Sequence, residues 1–405
     1  MAGINKEMIK EDLIELCVRI GDRHVGSKRN QRAAAYAAER LTSMGLTVTQ
    51  PEFKCIDWEY GDIILTAGGM PFQASIGPYS LPCDIHSKFV TASSVNELES
   101  KSFSGKIAVL HGDLCQEQLA PKNFVFYNPD HHKQIISLLE QKNPLAIVAI
   151  TGRNPEVAGA VYPFPLIEDG DFNIPVANLT IEEGEKLLLQ EEAEMHLRID
   201  STRIPSTGCN VLAKKSGQID DRLVFCAHID TKKSTPGAID NGGGVVILLA
   251  LAGLLQDYSG KYTIELLINN GEDYYAYPGG MQYLAENIDT FDQIAAAINA
   301  DGVGLKGSRT TYCSFNASDR MNRIISNVFQ DSSKFIERDP WYQSDHMLFA
   351  MNGRPAVALT TEDFDNAWAN IAHTAKDTID LADIDILADT AVALRELIDE
   401  LNRDL

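Results

Sequence analysis

One stretch narrows the fold more than any other. The apolar run Leu223-Val-Phe-Cys-Ala227 ends at His228, and Asp230 follows two residues later. Five apolar residues with β-branched and aromatic character predict a buried strand. A loop carrying Pro236 and Gly237 then delivers Asp240 and Asn241, and three glycines lead into the apolar run Val245 to Leu255. That run predicts a buried helix. Strand, loop and helix in this order build an open α/β sheet, in which chemistry gathers at the carboxyl ends of the strands.

The alternation continues to the end of the chain. Strands are expected at Tyr262 to Ile268, Ala295 to Ala300 and Ala356 to Leu359. Helices are expected at Gly280 to Glu286, Arg320 to Gln330 and Ile384 to Leu401. The order implies a mostly parallel central sheet flanked by helices. Two amphipathic helices open the chain, over 5–20 and from Asn30 to Met44, with Gly45 as the stop of the second. After them the composition differs. Residues 50–203 read as short strands and turns with most of the prolines, so a β-rich module is expected there, inserted into a domain made of 1–49 and 204–405.

The predicted strand ends collect unusual side chains. The first gives His228 and Asp230, the second Glu272 and Asp273, the third Asp301. The fourth precedes a loop with His373 and Asp377. A histidine after a strand is by itself more often packing than ligand, and Glu272-Asp273 alone reads as a solvated loop. Together they are different. Neighbouring strands lie ~5 Å apart, so these carboxylates, with Asp240, need cations to stay ionised. Imidazole plus carboxylate without thiolate suits Zn²⁺, with Co²⁺ or Mn²⁺ as substitutes. Two such ions need a bridging group, and Asp240 is the candidate.

The motifs His228-Ile-Asp230, Gly237-Ala-Ile-Asp240-Asn241, Gly271-Glu272-Asp273, Asn299-Ala-Asp301, Ser344-Asp345-His346 and His373-Thr-Ala-Lys-Asp377 resemble, in order, those of the co-catalytic two-zinc aminopeptidases. That family also includes glutamate carboxypeptidases and glutaminyl cyclases. The resemblance covers the N-terminal helices and everything after about 208. The 50–203 block is similar, more weakly, to the protease-associated domain many members carry. The resemblance implies a zinc exopeptidase-like fold, with His228 and Asp301 on one zinc, Asp273 and His373 on the other, and Asp240 between them. It implies Glu272 as general base and Asp230, Asp345 and Asp377 as groups supporting the ligands. It implies hydrolysis of peptides from the N-terminus by a metal-activated water. A carboxypeptidase, a deacylase and a non-catalytic relative of the transferrin-receptor type are the alternatives. Three positions depart from the pattern: Asp273 where Glu is usual, the aromatic segment Tyr274 to Tyr277, and Asn241-Gly-Gly-Gly244.

Lys plus Arg number 35 against 57 Asp plus Glu, a formal charge of −22. That excess argues against nucleic acid and anionic membrane surfaces as partners. No apolar run approaches the ~20 residues of a membrane span, and no signal-peptide pattern opens the sequence. Seven scattered cysteines without a CxxC pair suggest reduced thiols and a cytoplasmic location. The inserted module is expected to shape the cleft or to join copies into a homo-oligomer.

Overall fold

Strand Arg222–His228 is buried along its whole length. In the computed structural model, which describes residues 4–125, 128–153, 161–191 and 193–404, this strand lies inside an eight-stranded sheet. The spatial order is Thr47–Thr49, Val211–Lys215, Thr263–Asn269, Arg222–His228, Ile294–Ala300, Ala356–Thr361, Thr310–Phe315 and Phe335–Glu337. The four middle strands are mutually parallel. Val211–Lys215 and Thr310–Phe315 extend the sheet antiparallel on either side. The chain leaves Arg222–His228 for Thr263–Asn269 on one flank, then returns to Ile294–Ala300 on the other. The direction of winding therefore reverses beside His228, and such a switch opens a crevice at the strand ends.

The chain divides into two compact units, Met1–Cys55 with Ser206–Leu405, and Ile56–Pro205. In the first, helix Gly243–Leu254 packs on the central strands and on helix Ile384–Asp404. Apolar residues surround it, as a helix with no solvent face requires, and Val245 to Leu249 are wholly buried. Its three leading glycines have a steric reason. A Cβ on Gly244 would stand 2.2 Å from the Ala300 carbonyl oxygen, so only glycine lets this helix end approach the tip of Ile294–Ala300. The second helix of the chain, Lys28–Ser43, is capped by Ser27, whose Oγ accepts the Asn30 N–H at 3.0 Å. It ends at Gly45, which takes a left-handed φ of 83° while the Leu46 N–H donates back to the Leu41 carbonyl.

The unit Ile56–Pro205 contains most of a second sheet, whose order runs Met70–Pro71, Glu52–Ala67, Glu194–Cys209, Cys83–Ala92, Ile107–Leu110, Ala146–Ile150, Val176–Leu179 and Ala74–Ile76. Two apolar clusters pack against it, one around Ile107, Val109 and Leu197, the other around Leu110, Ile136 and Phe172. The short-strand expectation misses Glu52–Ala67 and Glu194–Cys209, each 16 residues long. Their many charged and exposed positions blur the alternation that announces a strand.

Candidate metal centre

Each of four parallel strands ends beside a group able to bind a metal. Asp240 lies between two histidines. His228 Nε2 stands 3.1 Å from Asp240 Oδ1, and His373 Nε2 stands 3.0 Å from Asp240 Oδ2. Asp301 Oδ1 is 3.5 Å from His228 Nε2, and Asp273 Oδ1 is 2.9 Å from His373 Nε2. The five groups thus sort into two half-sites, His228 with Asp301 and His373 with Asp273, sharing one carboxylate. The side chains of His228, Asp240, Asp273 and Asp301 are buried, and that of His373 is nearly so.

The hydrogen-bond balance shows what this arrangement needs. His228 Nδ1 donates to the Asp230 backbone carbonyl at 3.1 Å, which leaves the Nε2 lone pair of a neutral ring facing carboxylate oxygens. Among the described residues, His228 Nε2, Asp273 Oδ2 and Asp301 Oδ1 are buried with no hydrogen-bond partner. Buried polar atoms are rarely orphaned unless an ion or a chemical task accounts for them. His228, Asp240 and Asp273 each bring a ligand atom within 4.8 Å of the others. The donor set fits divalent cations with oxygen and imidazole ligands.

Electrostatics point the same way. Burial opposes a charged His228, yet the nearby carboxylates of Asp301, Asp230 and Asp240 hold its pKa well above the usual histidine value. His373 is raised in the same manner by Asp273 and Asp240. Asp240 is held below the carboxylate range by both imidazoles despite its burial. Burial also lifts the Glu272 carboxyl well above its ordinary value; Asp301, Asp273 and Asp345 add to the rise and His228 opposes it. A carboxyl poised upward in this way suits proton transfer.

The three supporting acids do different things. Asp230 lies behind His228 through its backbone. Its carboxylate instead accepts the N–H groups of Gly271, Glu272 and Asp273, at 2.7, 3.2 and 3.0 Å. Asp377 does the same for the other turn, accepting from Ala238, Ile239 and Asp240 at 3.1, 2.7 and 3.0 Å. Two buried carboxylates therefore shape the two backbone turns that present Glu272-Asp273 and Asp240. Asp345 takes side-chain donors instead. Its Oδ1 accepts from Asn269 Nδ2 at 2.6 Å and from the Tyr277 hydroxyl at 2.7 Å.

Several supporting residues escape a reading of the sequence. Arg23 is fully buried, and its guanidinium donates to the carbonyls of Ile229, Pro236 and Gly237 at 2.9, 2.6 and 3.0 Å. It holds the loop between His228 and Asp240. Asn241 donates to the Ala300 carbonyl at 2.9 Å and accepts the Gly244 N–H at 3.0 Å, so it ties the turn after Asp240 to the tip of Ile294–Ala300. Tyr274, Tyr275 and Tyr277 are all buried. Lys232 Nζ donates to the Asp273 carbonyl at 2.7 Å. His346 donates from Nε2 to the Trp341 carbonyl at 2.9 Å within the same unit. In the other unit His132 is buried, whereas His131 beside it is exposed.

Comparison with known proteins bears on the family and the fold. Residues 210–398 match the sequence model of Peptidase family M28. The probable leucine aminopeptidase 2 of Aspergillus oryzae is 22% identical over 404 aligned residues, which cover 91% of this chain and 77% of that protein. The solved aminopeptidase from Aneurinibacillus sp. strain AM-1 superposes with a TM-score of 0.77 at 18% identity, covering 98% of this chain and 94% of its own. The zinc aminopeptidase BSAP of Bacillus subtilis superposes at 0.75, also at 18% identity, covering 99% and 96%. At these identities the structural likeness is one of fold, a mostly parallel sheet flanked by helices. Over 210–398, a little under half of its length, the chain is similar to peptidase family M28.

Proposed function

We propose that the chain is a dinuclear zinc aminopeptidase that removes N-terminal residues from peptides. The observation that carries the reading is the two-sided Asp240, with one oxygen toward His228 and Asp301 and the other toward His373 and Asp273. In this reading those five residues hold two Zn²⁺ ions, for which Co²⁺ or Mn²⁺ can substitute. When bound, such ions supply the Lewis acidity that brings a water to near-neutral pKa.

The chain's own groups do the rest. Glu272 is the general base. It takes a proton from the attacking water and returns it to the leaving amine. Asp230 and Asp377 act through the backbone, keeping the turns that carry Glu272, Asp273 and Asp240 in place. Asp345 steadies the end of strand Thr263–Asn269 through Asn269. The short Asp273 suffices as a ligand because its turn is drawn in by Asp230, and its Oδ1 reaches within 2.9 Å of His373 Nε2.

Residues 1–49 and 204–405 form the metallopeptidase domain in this reading, and 50–203 the protease-associated-like insert. Peptides are the proposed substrates. A cytoplasmic location is also proposed, on seven scattered cysteines without a CxxC pair; among the described residues no helix is long and apolar enough to cross a membrane.

Chelation followed by metal add-back, assayed on paired free and N-blocked peptides, tests the reading. The expected result is loss of activity on chelation, recovery with Zn²⁺, and cleavage of the free peptides only. Cleavage of the blocked peptides assigns the site to a carboxypeptidase or deacylase. Full activity after exhaustive chelation rejects the metal reading.

A further inference from the structure

Two other groups of imidazole and carboxylate lie in the unit Ile56–Pro205. In the first, His131 Nε2 and His132 Nε2 stand 2.9 and 3.0 Å from Glu117 Oε1. The Ala120 N–H, however, donates to His132 Nδ1 at 3.0 Å. That bond fixes the proton of the neutral ring on Nε2, so the nitrogen facing Glu117 has no lone pair for a metal. This cluster is a hydrogen-bonded helix start.

The second group has no such lock. Asp84 and His86 lie two apart on strand Cys83–Ala92 and so share a face. Strand Glu194–Cys209 runs antiparallel beside it, with His196 directly opposite His86 and Arg198 opposite Asp84. Met195, Leu197 and Ile199 fill the core below, so His196 projects from the outer face together with His86. The two imidazoles stack with centroids 3.9 Å apart and planes 9° from parallel. His196 Nε2 also reaches Asp84 Oδ1, its diagonal neighbour, at 2.8 Å. One ligand atom from each of the three lies within 4.8 Å of the other two.

We propose that Asp84, His86 and His196 form a surface site for a borderline divalent cation, Zn²⁺ in particular, separate from the centre at Asp240. Two imidazoles and one carboxylate are a preferred donor set for that ion, with water completing the shell. Directly opposite positions on an antiparallel pair hold their Cβ atoms ~4.5–5.5 Å apart, which lets two ring nitrogens close on one ion by side-chain rotation alone. The backbone is already in place, because the ladder fixes it. The −22 charge of the chain favours cation capture; Arg198, and Lys88 on the other side of His86, are the charges that oppose it. An ion held by both strands ties Cys83–Ala92 to Glu194–Cys209 and stabilises the pairing by mass action.

The test compares the full chain with its His86→Ala/His196→Ala variant, each equilibrated with excess Zn²⁺, freed of unbound ion and analysed for metal. The difference does not depend on how many ions the centre at Asp240 takes. The wild type is expected to retain one more Zn²⁺ per chain, with peptidase activity equal in the two. Equal metal content overturns the proposal. A second readout needs only the wild type: Zn²⁺ should shield His86 and His196 from modification by diethyl pyrocarbonate. Labelling of both at the same rate with and without Zn²⁺ also overturns it.

Discussion

At the scale of single residues, the account turns on which carboxylates bind, which transfers protons and which only hold the backbone. Glu272→Gln keeps the size of the side chain and removes the base. Turnover should fall by at least ~10²-fold with metal content unchanged, as steady-state kinetics beside elemental analysis would show. Retained turnover would remove Glu272 from the mechanism. Asp273→Ala leaves His228, Asp301 and one oxygen of Asp240 intact. One metal should therefore be lost at a lower chelator concentration than the other, and a titration with a single step would contradict the two half-sites. The proposed ligand residues can be picked out of the sequence because they follow strand ends in a recognisable order. The work of Asp230 and Asp377 is not. Both are single acids beside a ligand, and nothing in their spacing tells that each accepts three backbone N–H groups from a turn elsewhere in the chain.

Elements show a similar divide. Helices with an apolar face and strands that are wholly apolar can be read directly, Gly243–Leu254 and Arg222–His228 most plainly. Strand Thr310–Phe315 cannot. It buries threonines, which is tolerable only because Thr310 Oγ1 meets Thr390 Oγ1 at 3.1 Å and Thr311 Oγ1 donates to the Thr360 carbonyl at 3.3 Å. Such partners are set by the tertiary fold, not by local pattern. Arg23 is the strongest case, since its carbonyl partners Ile229, Pro236 and Gly237 lie some 200 residues away in the chain. Arg23→Met removes a buried hub and strands several carbonyls without donors, so the chain should lose at least ~3 kcal/mol of stability in denaturant unfolding. A loss below ~1 kcal/mol would mean that water replaces the guanidinium. Helix His346–Met351 offers a pH test. Burial beside Trp341 and Phe315 pushes His346 down to about 4, against ~6.5 in the unfolded chain. The unfolded state then binds the proton first, so stability is intact above ~6.5 and falls as the pH drops toward 4. His346→Gln should flatten that part of the stability profile, and an unchanged slope would show that His346 titrates normally.

At the scale of the molecule, the fold explains why chemistry so dispersed in the chain can meet. Residues 228, 240, 273, 301 and 373 span most of the second half, and a parallel sheet brings its strand ends to one edge whatever the lengths of the connections. The alternation of elements foretells that sheet. Its antiparallel flanks and the long strands of the other unit are harder to foresee, because half-exposed strands carry charges that dilute the pattern. The formal charge of −22 disfavours polyanions and would favour the cationic N-termini of the proposed substrates.

The most direct test is a crystal of the active enzyme measured at the zinc absorption edge. Two anomalous peaks ~3.5–4 Å apart should flank the Asp240 carboxylate, one beside His228 and Asp301, the other beside His373 and Asp273. A single peak, or none, in a crystal that still turns over substrate would contradict the shared carboxylate on which the account rests.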